Sequence, residues 1–363
     1  PIPYVIPPGI ERERDYNNYR GDTRQNEQSL SLDVRNLRDG YGRATFKTGT
    51  NDFRSYKRLE MYVHLEALGS RVLNDQDVSA FIRIGSDNQD NYYEYTQPLY
   101  VTQPNTSDPS AIWPERNKLD IELELFQKAK IARNNATLPN GQAWPVNVPF
   151  DYTDGNSIIT VKGQPDMSKV RLYMLGVKNP LRNADLRPGD DGLEKDAQVW
   201  FNELRLTEFD ERGGWAATAG LSAKLADFGD VNISASKSTI GFGSIEKRVS
   251  ERNRADNTFF DISSNLELGK FFPKKSGIVI PMFVSSSAQI STPQYDPRTP
   301  DIELKNALEG ASKEQKKAIL NYAQDYTTRN SINFSNVHKE RTDPDKKVRL
   351  WDIENLNLSY AYT

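Results

Sequence analysis

The sequence contains no cysteine and only two histidines, His64 and His338, among 363 residues. It therefore has no disulfide bond and no thiolate nucleophile, and it lacks the ligands that most zinc and copper sites need. No run of about 18 apolar residues occurs, which excludes a transmembrane helix. Its 47 basic and 50 acidic residues are mixed along the chain, so no extended basic surface exists for nucleic acid.

Residue patterns that carry catalysis or ligand binding are also missing. Glu122 and Glu124 have the alternation of a solvated strand face, which explains them better than an acid and base pair does. The acidic loops 75–77 and 185–191 lack a complete calcium-ligand spacing. We therefore predict no catalytic residue, no cofactor, no metal and no small-molecule substrate, and we expect that the chain is not an enzyme.

Residues 1–212 alternate short apolar runs with clusters of Pro, Gly, Asn and Asp, the pattern of a β-sandwich. In the clearest run, residues 59–66, four apolar side chains alternate with polar ones, and we expect His64 to be exposed on the polar face. A phase change between Phe201 and Leu204 predicts a β-bulge. Residues 119–126 alternate as well, but their continuation to residue 133 has a helical pattern, and both interpretations stay open.

From residue 213 onward the apolar residues are smaller and the alternating runs are longer. Residues 215–225 form one such run, and its length matches the roughly 9 to 11 residues of a membrane-spanning β-strand. The run 231–235 is weaker, because Lys237 interrupts its apolar face unless that side chain lies at the membrane edge. The side chains predicted to face lipid are Trp215, Leu221, Leu225, Ile262, Leu266, Leu268, Ile278, Ile280 and Val284.

Connection lengths give a second test of a membrane barrel, in which short periplasmic turns alternate with longer outer loops. The predicted connections 227–230 and 269–277 are short, 243–256 is longer, and 291–347 is a very long loop. Within that loop Ser312 and Gln315 form a capping box before one amphipathic helix. From periodicity alone, a soluble sandwich is an equal alternative for residues 213–363.

A group of aromatic residues supports a different function, because β-sandwich modules stack sugar rings on exposed aromatic platforms. The alternative prediction is therefore a soluble carbohydrate-binding β-sandwich module of an envelope protein. Its candidate residues are Tyr92, Tyr93, Tyr95, Trp113, Trp144 and Trp200.

Several segments together resemble one family, and they cover most of the chain. The segments are residues 6–13 (IPPGIERE), 56–59 (YKRL), 92–95 (YYEY), 176–180 (GVKNP), 199–206 (VWFNELRL), 213–216 (GGWA), 226–229 (ADFG), 268–273 (LGKFFP) and 290–293 (ISTP). They are similar to the SprA/Sov family, the outer-membrane translocon of the type nine secretion system, which also supports gliding motility in gliding species.

The resemblance implies a protein-conducting channel: a very large single-chain β-barrel with folded inserts, which exports folded proteins. A chain that starts at Pro1 and stops inside an alternating run is then expected to be an internal piece of it. Asp261, Asn265, Glu267 and Gln289 alternate with apolar residues, and we predict that they line the lumen. The implied partners are other secretion-system subunits, secreted cargo proteins and outer-membrane lipid. The implied location is the cell outer membrane, with inserts in the periplasm or outside the cell.

The predicted fold is all-β. A jelly-roll-like β-sandwich insert (1–212) is followed by antiparallel strands of a large transmembrane β-barrel (213–290). A long loop with one α-helix (291–347) and the start of a further barrel strand (348–363) complete the chain.

Overall fold

The computed structural model describes residues 2–12, 27–182, 191–248, 251–309, 311–342, 347 and 349–363. The chain divides into two compact units. Unit 1 contains Pro1–Asp210 and Thr299–Asp301, and unit 2 contains Glu211–Arg298 and Ile302–Thr363. The strands of both units pair antiparallel, which confirms the all-β prediction. Most of the acidic loop 185–191 lies outside the described residues.

Unit 1 is built from two antiparallel sheets. The first has the strand order β1-β10-β3-β6 and the second has the order β2-β9-β4-β5-β8-β7. That the two sheets form a jelly roll stays a prediction. The elements of unit 1 are β1 (Leu30–Leu37), β2 (Gly42–Asn51), β3 (Tyr56–Ala67), β4 (Ser79–Gly85), β5 (Tyr92–Pro98), α1 (Pro109–Ile112), β6 (Leu119–Glu122), α2 (Leu123–Asn135), β7 (Phe150–Asp154), β8 (Ser157–Lys162), β9 (Val170–Lys178) and β10 (Lys195–Phe209).

One hydrophobic core joins the two sheets of unit 1. Strand β3 contributes alternate side chains, because successive residues of a strand point to opposite faces. Segment 119–133, left open by the sequence, is a strand followed by a helix: β6 pairs with β3, and α2 buries Phe126 and Ala129 in the same core. Residues of this core include Leu59, Met61, Val63, Leu65, Ile82, Ile84, Tyr93, Ile159, Val161 and Val199.

The predicted bulge in β10 is confirmed. Its pairing with β3 shifts register between Asn202 and Arg205, and Glu203 inside the bulge has φ +55°. The extra residue lets apolar side chains on both sides of the bulge reach the same core, which explains the phase change in the sequence.

The prediction that His64 is exposed is wrong. His64 is fully buried, and its ring stacks on Trp200 at a centroid distance of 4.2 Å. Its face of β3 carries a second apolar cluster, which also contains Ile2, Ile112 and Trp113. Alternation along one strand could not predict this, because residues distant in sequence cover the second face.

Unit 2 contains one large antiparallel sheet, in which β11, β12, β13, β15 and β18 follow one another. Strands β19 and β14 both pair with β18. The described strands do not close into a barrel. The elements are β11 (Ala216–Leu225), β12 (Gly229–Ser238), β13 (Ala255–Glu267), β14 (Ile278–Val279), β15 (Pro281–Pro293), β16 (Tyr295–Asp296), α3 (Leu304–Glu309), α4 (Lys313–Ala323), β18 (Asp325–Lys339) and β19 (Leu358–Tyr362). Strand β17 (Thr299–Glu303) has its first three residues in unit 1 and its last two in unit 2.

The segment predicted as one long loop, 291–347, differs from that prediction. Its helix is present as α4, with the Ser312 and Gln315 capping box in place. The prediction of a single helix is wrong, because the segment also contains the short helix α3, together with the short strands β16 and β17. It contains in addition β18, a strand of 15 residues that pairs with β15 from Met282 to Ser291. The alternation of β18 is weak, because Thr328 and Asn330 interrupt its apolar positions, so the strand depends on pairing with a neighbour.

Candidate functional site

The register of the unit 2 sheet assigns every strand residue to one of two faces. Directly paired residues share a face, so Leu221, opposite Ile233, lies on the same face as Ile262. We call this the apolar face. Its members are Ala217, Ala219, Leu221, Ala223, Leu225, Val231, Ile233, Ala235, Lys237, Thr258, Phe260, Ile262, Ser264, Leu266, Met282, Val284, Ser286, Ala288, Ile290, Tyr326, Thr328, Asn330, Ile332, Phe334, Tyr360 and Tyr362.

The opposite surface of the sheet, which we call the polar face, is lined mainly by polar residues. Asn265 donates to both carboxylate oxygens of Asp230 at 3.2 Å, and Asn232 donates to the same carboxylate at 2.9 Å. Ser222 donates to Asn232 at 2.7 Å and extends the network to β11. Other polar members are Thr218, Lys224, Ser234, Ser236, Asn257, Asp261, Ser263, Glu267, Ser285, Ser287, Gln289, Thr327, Arg329 and Ser331, and the same face also carries Phe259 and Phe283.

The apolar face is exposed instead of being packed into a core. Leu221 is 63% exposed, Phe260 is 45% exposed and Tyr362 is 63% exposed. Contiguous apolar surfaces of this kind are rare on soluble monomers and mark contacts with a membrane or another protein. The comparable strand residues of unit 1, such as Leu65 and Ile82, are fully buried.

Two polar interruptions of the apolar face are hydrogen-bonded within the sheet. The Ser264 hydroxyl donates to the carbonyl oxygen of Asp230 at 2.8 Å, and the Ser286 hydroxyl donates to the Asn330 side-chain oxygen at 2.8 Å. These hydroxyls therefore do not require water, which lowers the cost of placing them in an apolar environment.

The residues predicted to face lipid fall into two groups. Leu221, Leu225, Ile262, Leu266 and Val284 lie on the apolar face within strands. The other four lie outside the main strands: Trp215 directly precedes β11, Leu268 opens a 3-10 turn, Ile278 belongs to β14, and Ile280 separates β14 from β15. The sequence predicted one continuous strand through residues 278–290, and the structure interrupts it at Ile280.

The four residues predicted to line a lumen share the polar face. Asp261 is paired with Ser234 and Ser287, which puts it on the same face as Asn265 and Glu267 of β13. Gln289 on β15 is paired with Phe259 of that face. The structure therefore brings all four onto the surface opposite the predicted lipid-facing residues.

Aromatic and basic side chains border the apolar face at both ends of the strands. One end, here called the loop end, carries connections 239–254 and 294–324, and there the Lys237 ammonium lies 5.7 Å from the Trp215 ring centre. The other end, here called the turn end, carries connections 226–228, 268–277 and 340–357. There Phe228 and Phe271 pack edge to face at 5.0 Å.

The aromatic residues considered for sugar binding do not form an exposed platform. Tyr92, Tyr93 and Tyr95 are buried in β5, and Trp113 and Trp200 belong to the cluster around His64. Trp144 is half-buried, and its ring packs against Phe150 at 5.4 Å. This argues against the carbohydrate-binding alternative.

No arrangement typical of a catalytic centre links the carboxylates considered in the sequence. Glu122 ends β6 and pairs with Arg58 at 3.2 Å, whereas Glu124 lies in the first turn of α2 and pairs with Lys128 at 3.3 Å. No group of three or more metal-ligating side chains occurs among the described residues. Within the same residues, no helix is both long enough and apolar enough to cross a membrane.

A buried charged cluster in unit 1 was not predicted. The Lys130 ammonium on α2 lies 2.8 Å from the Asp301 carboxylate, and both side chains are almost completely buried. The Tyr93 hydroxyl donates to the other oxygen of Asp301 at 2.5 Å, and burial raises the pKa of Tyr93 well above its usual value. Asp301 is 171 residues from Lys130 and 208 residues from Tyr93 in the sequence, so no local sequence pattern could have predicted these contacts.

The structure thus defines a mainly antiparallel β protein in which one sheet has an exposed apolar face and an opposite polar face. The family model SprA_N, described as "Motility related/secretion protein", matches residues 1–308. The chain belongs to this family of motility-related and secretion proteins. No curated protein matches the chain.

Proposed function

We propose that this chain forms part of the wall of an outer-membrane, protein-conducting channel of the type nine secretion system. In this channel the apolar face contacts lipid and the polar face lines a water-filled lumen. The observation that carries the proposal is the opposition of the two faces across one antiparallel sheet. A membrane β-strand requires this alternation of apolar and polar side chains.

The dimensions of the sheet support the proposal. From Trp215 to Leu225 the chain takes ten steps of about 3.3 Å, which gives a length of about 33 Å. A strand tilted by about 45° then covers roughly 23 Å along the membrane normal, close to the apolar band of about 25 Å in outer-membrane barrels. The aromatic residues at both borders lie where such barrels have their aromatic girdles.

A lipid environment also explains why large apolar side chains are exposed on this sheet, since their exposure to water is energetically unfavourable. Each Å² of apolar surface removed from water contributes about 25 cal/mol, so a bilayer stabilises an exposed face that carries Leu221, Phe260 and Ile262. In water the same face and the unpaired outer edges of β11 and β19 favour aggregation. Pairing of those edges with further strands would complete a closed wall, since only closed sheets satisfy their backbone groups in lipid.

The connections are consistent with one orientation of the sheet. Of the turn-end connections between the described strands, 226–228 and 268–277 are shorter than both loop-end connections, 239–254 and 294–324, whereas 340–357 is longer than 239–254. Outer-membrane barrels keep short turns on the periplasmic side. The two shortest connections therefore favour the periplasm for the turn end and the exterior for the loop end.

The polar face suits passage of folded proteins, because Asp261, Asn265, Glu267 and Gln289 keep a lumen hydrated. Secreted proteins are the expected cargo, and other secretion-system subunits are expected partners that drive or gate transport. Unit 1, which buries its own core, serves as a folded insert. In gliding species the same channel also supports gliding motility.

Single cysteines test the proposal, because residues 1–363 contain none and each label position is then unique within them; any cysteine elsewhere in the full-length protein is replaced by serine. Nitroxide labels are introduced one at a time at Leu221, Leu266, Ser222 and Asn265 of the full-length protein in lipid bilayers. We expect labels at Leu221 and Leu266 to be accessible to oxygen and those at Ser222 and Asn265 to a water-soluble nickel reagent. If all four labels report water or protein interior, the sheet is not a membrane wall.

A further inference from the structure

Six consecutive residues, 270–275, project from the turn end of the unit 2 sheet. They combine two exposed phenyl rings, Phe271 at 74% and Phe272 at 45% exposure, with three lysines. The lysines are Lys270, Lys274 and Lys275. We call this segment the lysine-phenylalanine turn.

The backbone fixes the position of this turn. Two 3-10 turns, Leu268–Phe271 and Lys274–Ser276, flank Pro273, and Gly277 ends the second with φ +62°. A Cβ on Gly269 would lie 2.3 Å from the Ile278 carbonyl oxygen, so this close approach requires glycine. The segment is therefore held against the sheet.

Contacts with the neighbouring connection fix it at the turn end of the sheet. The Phe271 ring packs on Phe228, and the Lys270 ammonium lies 2.9 Å from the Asp227 carboxylate. The Glu267 amide donates to the Phe228 carbonyl oxygen at 2.7 Å, directly after Leu266 of the apolar face. The lysine-phenylalanine turn thus lies directly beyond the end of the strands that carry the apolar face.

The charge of this region is positive. Asp227 neutralises Lys270, whereas Lys274 and Lys275 form no ion pair with any residue that the structure describes. Exposed phenyl rings beside free ammonium groups suit the boundary between acyl chains and phosphates, where the rings enter hydrocarbon and the lysine stems extend toward the headgroups. Neither water alone nor a protein interior suits both groups.

We propose that the lysine-phenylalanine turn is a binding site for the headgroups of anionic glycerophospholipids in the periplasmic leaflet. Lys274 and Lys275 bind the phosphates, and Phe271 and Phe272 insert among the acyl chains. This inference rests on the proposed function, since it requires the apolar face to lie in a bilayer. Beyond the proposed function, it predicts a preference for anionic lipids and the position of the sheet along the membrane normal.

The test uses the full-length protein reconstituted in vesicles of phosphatidylcholine and phosphatidylglycerol. A fluorophore on Ser276→Cys reports at the lysine-phenylalanine turn, and one on Leu266→Cys reports inside the apolar face. Quenching by brominated phosphatidylglycerol is compared with quenching by brominated phosphatidylcholine at constant total composition. We expect the Ser276 reporter to prefer the anionic quencher by about fivefold, the factor expected for one lysine near an anionic surface.

The variant K274Q/K275Q should reduce this ratio to about one while the Leu266 reporter remains quenched. Lys224→Gln is the matched control, because Lys224 lies near the same end on the polar face, and its ratio should not change. An unquenched Ser276 reporter, or a ratio that survives the double variant, overturns the lipid site alone. If the Leu266 reporter is not quenched by either lipid, the membrane wall itself is refuted.

Discussion

At the residue scale, His64 illustrates how a buried titratable group limits stability. Its Nδ1 donates to the Ile112 carbonyl oxygen at 2.8 Å, while Nε2 has no partner among the described residues. Burial lowers the pKa of His64 to about 4, and the hydrogen bond to Ile112 opposes this only in part. The neutral imidazole is therefore the form that the stacked aromatic cluster accepts.

This environment predicts a pH dependence of unit 1. The unfolded chain protonates His64 below about pH 6.5 while the folded chain keeps it neutral down to about pH 4, so protonation favours unfolding in that window. The free energy of unfolding should fall by about 3 kcal/mol from pH 7 to pH 4 through this group. Urea unfolding monitored by tryptophan fluorescence measures the free energy of unfolding at each pH. In the variant His64→Phe the decrease of this free energy between pH 7 and pH 4 should be smaller by the contribution of His64. If the pH dependence of the free energy of unfolding is the same in the variant, His64 is not its cause.

The buried Lys130 and Asp301 pair is the second residue-scale feature with a large expected effect. Asp301→Asn leaves the Lys130 ammonium buried without a compensating charge, which should lower the free energy of unfolding of unit 1 by about 3 to 5 kcal/mol. Glu124→Gln on the same helix is the control, because its pair with Lys128 is exposed and should matter by less than about 0.5 kcal/mol. Equal effects from the two substitutions in urea unfolding would be inconsistent with the buried pair.

At the element scale, α4 and β18 show different dependence on local sequence. The N-terminus of α4 is determined locally by two reciprocal hydrogen bonds. The Ser312 hydroxyl accepts from the Gln315 backbone amide, and the Gln315 side-chain oxygen accepts from the Ser312 backbone amide. This motif could be predicted from two residues. Strand β18 could not, since its pairing partner β15 begins 44 residues earlier in the sequence.

The cap gives an element-scale prediction. Ser312→Ala should destabilise the first turn of α4 by about 1 kcal/mol, because one backbone donor loses its acceptor. Amide hydrogen exchange of peptides covering residues 313–323 should then be about fivefold faster, and Ser312→Asp, which retains an acceptor, should exchange nearly as the natural chain does. Unaltered exchange in Ser312→Ala would mean that the cap does not limit opening of the helix.

At the scale of the whole molecule, the two faces of the unit 2 sheet should respond oppositely to charge. Leu221→Arg places a charge in the middle of the apolar face, which should cost about 2 to 4 kcal/mol in a bilayer. Ser222→Arg, one residue away on the polar face, should be tolerated. The fraction of full-length protein that resists extraction from membranes by alkaline carbonate measures this, and loss of both variants to the same extent would count against a membrane wall.

The sequence by itself determined the features that arise from neighbouring residues. Alternation defined β3, β4, β5 and β11, a change of phase revealed the bulge in β10, and a four-residue motif defined the cap of α4. These features depend on side-chain direction and local hydrogen bonds, which are fixed by positions a few residues apart. The opposition of apolar and polar residues in unit 2 was visible for the same reason.

Tertiary structure decided which surfaces are covered and which charges meet. The residues around Ile2 and Trp113 convert the polar-looking face of β3 into a buried one that contains His64. Lys130 and Asp301, which form an ion pair, are 171 residues apart in the sequence. The strand predicted for residues 278–290 is interrupted at Ile280, which separates β14 from β15. In each case the controlling contact joins distant parts of the chain, and its free energy depends on packing that no local pattern records.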